Sequence, residues 1–186
     1  MTEVSSLTGR LLVATPALAD PNFDRAVVLL LDHDDEGSLG VVLNRPTPVT
    51  VGDVLAAWAG LAGEPGVVFQ GGPVSLDAAL GLAVIPGDEG PLGWRRVFGA
   101  IGLVDLETPP ELLGPALGAL RIFAGYAGWG PGQLEEELTE GAWYVVESEP
   151  GDVSSPTPET LWRQVLRRQR GDLAMVATYP DDPSLN

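Results

Sequence analysis

The stretch AVVLLLDHDDEGSLGVVLNRP, Ala26 to Pro46, decides the fold class. Two apolar, β-branched runs, AVVLLLD and LGVVL, flank the polar turn DHDDEGS, which carries Gly37. A short glycine-bearing loop between two such runs predicts an antiparallel hairpin. The second run is expected to stop at Pro46. Upstream, GRLLVAT reads as another buried strand and PALADPNFD as a proline-broken connection.

Further along, GVVFQGGPV, LGLAVIP, RVFGAIGLVDL, RIFAGYAGW and AWYVVESE all have strand length and β-rich composition. Helices are expected at three starts. Thr50 to Asp53 offers an N-cap hydroxyl and an acid, with Val51, Val54, Leu55 and Trp58 on one face. Thr108-Pro109-Pro110-Glu111 and Thr157-Pro158-Glu159 repeat the pattern with proline in the first turn. The last should bury Leu161, Trp162, Val165 and Leu166 and end at Gly171. Strands come in clusters and do not alternate with helices, so the fold class is α+β, in one domain spanning residues 1–186. Residues 1–8 and 181–186 read as irregular, and Gly60–Gly66 and Glu149–Pro158 as mobile loops.

The chain has 186 residues, 45% of them apolar, enough for a sizeable core. It has no cysteine, which excludes disulfides, thiolate metal sites and a cysteine nucleophile and fits the cytosol. The N-terminal LLVATPALA is too short in its apolar part for a secretory signal, and no run approaches a membrane span. Net charge is −16, and all 10 bases are arginine. Such a field repels phosphate backbones and anionic lipid, so direct nucleic-acid or membrane binding is disfavoured.

The glycine-rich segment FAGYAGWGPGQLEEEL, Phe123 to Leu138, fails as a phosphate loop. Gly125 and Gly130 have the spacing, but Pro131 and Gly132 stand where lysine and a hydroxyl are required, and a dinucleotide fingerprint would need glycine at Gln133. It reads as a hard corner, with Gly125, Gly128 and Gly130 holding positive φ, Pro131 in the first helical turn and Trp129 packed beneath. DHDDEG opens like a calcium loop but has Leu43 where the closing acid belongs, so no metal is expected. His33, the only histidine, is expected on the surface of that turn. Asp20 and Asp24 beside Asn22 read as turn-forming groups. Arg163, Arg167 and Arg170 read as a solvated helix stripe.

Polar residues cluster where strands end: Asn44 and Arg45; Gln70, Gly71 and Gly72; Tyr126, Trp129 and Gln133. Converging strand ends would make them one concave ligand site.

DPNFDR, GVVLNRP, QGGPV and GYAGWGPGQLEEEL followed by AWYVV occur in the order that resembles the bacterial YqgE/AlgH family, from Gly9 to Asn186. The resemblance implies a cytosolic α+β domain in which a bent mixed sheet curls into a pseudo-barrel with flanking helices. It implies no established enzymatic activity and no cofactor. One branch of that family is named as a regulator of alginate biosynthesis. The expectation is a non-enzymatic binding or regulatory protein whose cleft takes an unknown small molecule or a peptide of a protein partner. A direct DNA-binding transcriptional regulator, and a hydrolase-like enzyme using Arg45 with nearby acids, are the alternatives.

Overall fold

The computed structural model describes residues 6–18, 20–87 and 90–178. Ten strands lie among them: β1 Arg10–Ala14, β2 Val27–Asp34, β3 Gly37–Val42, β4 Pro46–Thr50, β5 Val67–Gln70, β6 Val74–Val84, β7 Trp94–Phe98, β8 Ile101–Val104, β9 Ala119–Trp129 and β10 Trp143–Glu147. They form one sheet, ordered β10-β1-β2-β3-β9-β6-β8-β7, with β4 and β5 branching from β9. The helices are α1 Val51–Val54, α2 Gln133–Thr139, α3 Pro150–Val153, α4 Leu161–Arg167 and α5 Asp172–Val176.

The expected hairpin is β2–β3, closed by Asp34 opposite Gly37 across the two-residue loop Asp35-Glu36. The long strand β9 joins the two halves of the sheet. Its first part pairs antiparallel with β6 and parallel with β5, while Ala127–Trp129 pairs with Gly40–Ser38 of β3. Gly125, at φ 75°, stands where the strand leaves one ladder for the other. A side chain opposes that backbone angle. The sheet curls there into a half-barrel.

Both faces of the sheet are covered. Leu11, Val13, Val27, Leu29 and Phe123 pack inward with Leu161, Trp162, Val165 and Leu166 of α4. Their neighbours Leu12, Ala14, Val28 and Leu30 pack on the opposite face with Trp129, Leu134 of α2 and Trp143. A third cluster, containing Val51, Trp58, Val68, Leu113 and Ile122, lies beneath α1 and the 3-10 turns. A strand buried on both faces has no use for polar alternation, which is why AVVLLL is continuously apolar.

Several expectations are corrected. The second run ends as a strand at Val42, and Pro46 opens β4, at the first position of a strand, where proline's missing N–H is tolerated. RVFGAIGLVDL is a hairpin, β7 and β8, turning at Gly99-Ala100 with Gly99 at φ 57°. The Thr50 start yields one helical turn with Val54 exposed, and the Thr108 start only the 3-10 turn Pro110–Leu112. Thr50 makes no side-chain cap bond, the cap position of the second turn falls on Pro109 and not on Thr108, and segments this short are not self-sustaining. The third helix buries the four residues expected of it but ends at Arg167, with α5 following Gly171. The Glu149–Pro158 segment contains α3, closed by a reciprocal capping box between Glu149 and Asp152. Buried Asp152 also takes both terminal nitrogens of Arg168 at 2.6 Å. The tail beyond Thr178 and residues 1–5 lie outside the described residues.

Candidate functional site

A concavity rich in charged side chains of both signs lies past the end of β3, where Asn44-Arg45 meets the PNFDR segment and α4. It has a volume of about 610 Å³ and is lined by Pro21, Asp24, Arg25, Asn44, Arg45, Glu159, Trp162 and Arg163. Three guanidiniums face two carboxylates, a formal charge of +1 in a chain whose total is −16.

Local bonding explains how these side chains are held. Asp20 Oδ1 accepts from the Asn22 N–H at 2.9 Å, the Asx turn read from the sequence. The chain then reaches Arg25, whose φ of 54° is unusual for a residue with a side chain. Buried Asn44 stabilises that conformation as a strand neighbour would. Its Nδ2 donates to Arg25 O and its Oδ1 accepts from Val27 N–H, both at 2.9 Å. Asn44 is therefore a scaffold for the site. Arg45 donates to the Asp24 carbonyl, and burial lowers its pKa while the Asp24 charge opposes the shift. Trp162 forms the floor, pinned by its indole N–H to Ala14 O at 2.8 Å. The Arg25 and Arg163 guanidiniums lie 4.4 and 5.7 Å from its ring centre. Arg163 thus turns into the cavity, and the expected arginine stripe is broken.

A second depression of about 250 Å³, with Arg45 as its one charged side chain, adjoins it, lined by Pro21, Asn22, Val42, Arg45, Gln70 and Gly72. Arg45 and Pro21 belong to both. Of the strand-end residues expected in one cleft, Asn44, Arg45, Gln70 and Gly72 are brought together around these two hollows.

The remaining members go elsewhere. Tyr126 is half-buried against the inner core. Trp129 is buried near Phe23 and Trp143, with ring centres 6.3 and 6.1 Å away. Glu137 ties this box together, its Oε1 accepting from the Trp129 and Trp143 indoles at 3.2 and 3.0 Å. Gln133 closes its own turn, accepting from Gly130 N–H at 2.9 Å and donating to Glu137 at 3.0 Å. Gly71 is buried, and a β-carbon there would stand 2.4 Å from Gly125 O; one on Gly72 would stand 2.2 Å from Tyr126 C. The two glycine motifs are one close crossing of backbones. Positive φ is required at Gly125 and Gly132, not at Gly128 or Gly130, and Pro131 precedes the helix cap.

The segments that meet at this box and cavity are those that carry family likeness, and residues 11–174 match the AlgH-like family. The chain belongs to the AlgH-like family. It is 87% identical to a UPF0301 protein of Streptomyces coelicolor, across 100% of this chain and 98% of that relative. A UPF0301 protein of Thermobifida fusca is 53% identical, with 97% and 96% covered. Among solved structures, a Corynebacterium diphtheriae protein superposes with a TM-score of 0.89 at 30% identity, covering 96% of this chain and 95% of that one. The AlgH protein of Pseudomonas aeruginosa gives 0.69 at 27%, covering 97% and 98%.

This AlgH-like chain also corrects the reading of its histidine. His33 is only 4% exposed, because β2 runs on to Asp34 and turns the ring inward. Its Nδ1 lies 2.6 Å from Ser38 Oγ and its Nε2 3.3 Å from Glu135 Oε1 of α2. The serine borders a small depression shared with Asp32, Asp34 and Glu36. Among the described residues no group of three or more His, Cys, Asp or Glu is placed to hold a metal ion. No helix among them is long and apolar enough to cross a membrane.

Proposed function

We propose that this is a cytosolic, non-enzymatic binding protein with a regulatory role, and that the arginine-walled cavity takes a small anionic ligand or the charged end of a peptide. One observation carries the reading: three of the ten arginines of a chain at −16 gather around one cavity with an aromatic floor. Gathering three guanidiniums around one concavity concentrates an anion there, while the net negative field of the chain repels polyanions. A guanidinium offers planar paired donors that suit a carboxylate.

The hydrolase alternative has its best support in Ser38, His33 and Glu135: the serine hydroxyl is hydrogen-bonded to His33 Nδ1, and His33 Nε2 lies within ion-pair distance of Glu135. A developing oxyanion at Ser38 would face Asp32, Asp34 and Glu36, the opposite of the donors such a transition state needs. The three residues read better as a latch between the β2–β3 hairpin and α2. The DNA-binding alternative has less support, since Arg163, one of the three arginines of its stripe with Arg167 and Arg170, lines the cavity.

A thermal-shift screen of organic anions tests the reading with wild type and an Arg45→Met/Arg163→Met double variant. The expected result is stabilisation of wild type by at least one anion and none of the double variant. Equal shifts in both proteins would overturn it.

A further inference from the structure

Resting on that reading, we infer that the ligand is a singly charged carboxylate joined to an amide group, the chemistry of a peptide C-terminus or an N-acyl amino acid. Two features of the paired hollows point there.

The first is charge. With three guanidiniums against two carboxylates, the larger hollow has one positive charge to offer. A carboxylate monoanion brings it to neutrality. A phosphate dianion would leave it negative inside a molecule already at −16, with Asp24 and Glu159 on the lining to oppose it.

The second feature is the neighbour across Arg45. The smaller hollow has no carboxylate, and its polar side chains other than Arg45 are the primary amides of Asn22 and Gln70. Both residues are exposed, and Gln70 uses its backbone for the ladder to Ala124, so its side chain need not hold the fold. A primary amide both donates and accepts, the complement of a peptide group, which does the same. Arg45, on the wall of both hollows, is placed to hold the carboxylate while the adjoining amide lies beside Gln70 and Asn22. The other half of the lining, Pro21, Val42 and Gly72, makes no ionic demand on the rest of the ligand.

The test is isothermal titration of the full chain with three probes: a mixture of N-acetylated tripeptides with free carboxylates, the same mixture as C-terminal amides, and inorganic phosphate. The N-acetyl amino acids are a fourth arm that separates a free small molecule from a peptide end. The expected result is binding of the acids at least tenfold tighter than of the amides or phosphate. Gln70→Ala should weaken the acids about fivefold and leave phosphate unchanged. Phosphate binding tighter than the acids, abolished by Arg45→Met, would overturn the carboxylate–amide assignment while leaving the anion cavity standing. Binding of the acids unaffected by Arg45→Met or Gln70→Ala would overturn the assignment, and the cavity reading for these ligands with it. Absence of binding by all four probes would overturn the assignment as well.

Discussion

Replacing Gly125 with alanine should cost far more than replacing Gly132, although the two glycines share a φ of 75°. A side chain in the left-handed region costs about 1–2 kcal/mol at either position. At Gly132 nothing lies within 4 Å of the added β-carbon, so that cost is the whole effect. At Gly125 the β-carbon would stand 2.7 Å from Gly72 O and 2.9 Å from Val74 O, both backbone atoms held in the sheet crossing. Overpacking of this kind adds about 1–3 kcal/mol, so Gly125→Ala should total about 2–5 kcal/mol. In urea, where stability falls by about 1–3 kcal/mol per molar, the two variants should differ by about 1 M in midpoint. Equilibrium unfolding followed by tryptophan fluorescence reads this directly. Equal midpoints would refute the claim that Gly71-Gly72 and Gly125 form one backbone crossing, leaving only a conformational role for the glycine.

Asp152→Asn should destabilise the fold by about 1.5–3 kcal/mol, the range of charge-assisted bonds, because the two-oxygen contact with Arg168 is broken; urea unfolding checks it. The freed Arg168 side chain, 27% exposed, reaches water, which keeps the loss below the about 3–5 kcal/mol of a sealed pair. Arg45→Met should cost about 0.5–1.5 kcal/mol, one hydrogen bond to Asp24 O, and leave the far-ultraviolet spectrum unchanged, so that a lost ligand response reports on the cavity. The chain alone should show no sequence-specific DNA binding in a competition assay at physiological salt, since its net charge of −16 opposes the phosphate backbone.

How much was legible in the sequence follows from the range of each interaction. The β2–β3 hairpin was readable because turn and register are set by adjacent residues, and α4 because its four apolar positions repeat on one face. The helix starts at Thr50 and Thr108 carried the right residues but led into segments whose length tertiary packing cuts short. For His33, the composition of the turn pointed outward, and only the extension of β2 to Asp34 turns the ring in. The site was half legible. Asn44, Arg45, Gln70 and Gly72 lie at strand ends, where a local reading finds them. Arg25, Trp162 and Arg163 converge from the start of β2 and from α4, more than a hundred residues apart, and nothing local signals that meeting. Arg25 had one available pointer, its place in DPNFDR beside the resemblance-bearing NRP motif. Tyr126, Trp129 and Gln133 line neither hollow, because β9 continues past Gly125 to Trp129 and does not end at Tyr126 as expected.

The most direct test of the cavity as the binding site is a map of arginine side-chain Nε–Hε resonances during titration with N-acetylated tripeptide acids. All ten bases of the chain are arginines, so every cationic site reports in one spectrum. The account predicts saturable shifts at Arg25, Arg45 and Arg163, together with the Trp162 indole beneath them, and none at the exposed Arg95 and Arg96 of the edge strand β7. Shifts at Arg95, Arg96, Arg167 and Arg170 equal to those at the cavity would contradict it, because the anions would then be following exposed charge and not a built site.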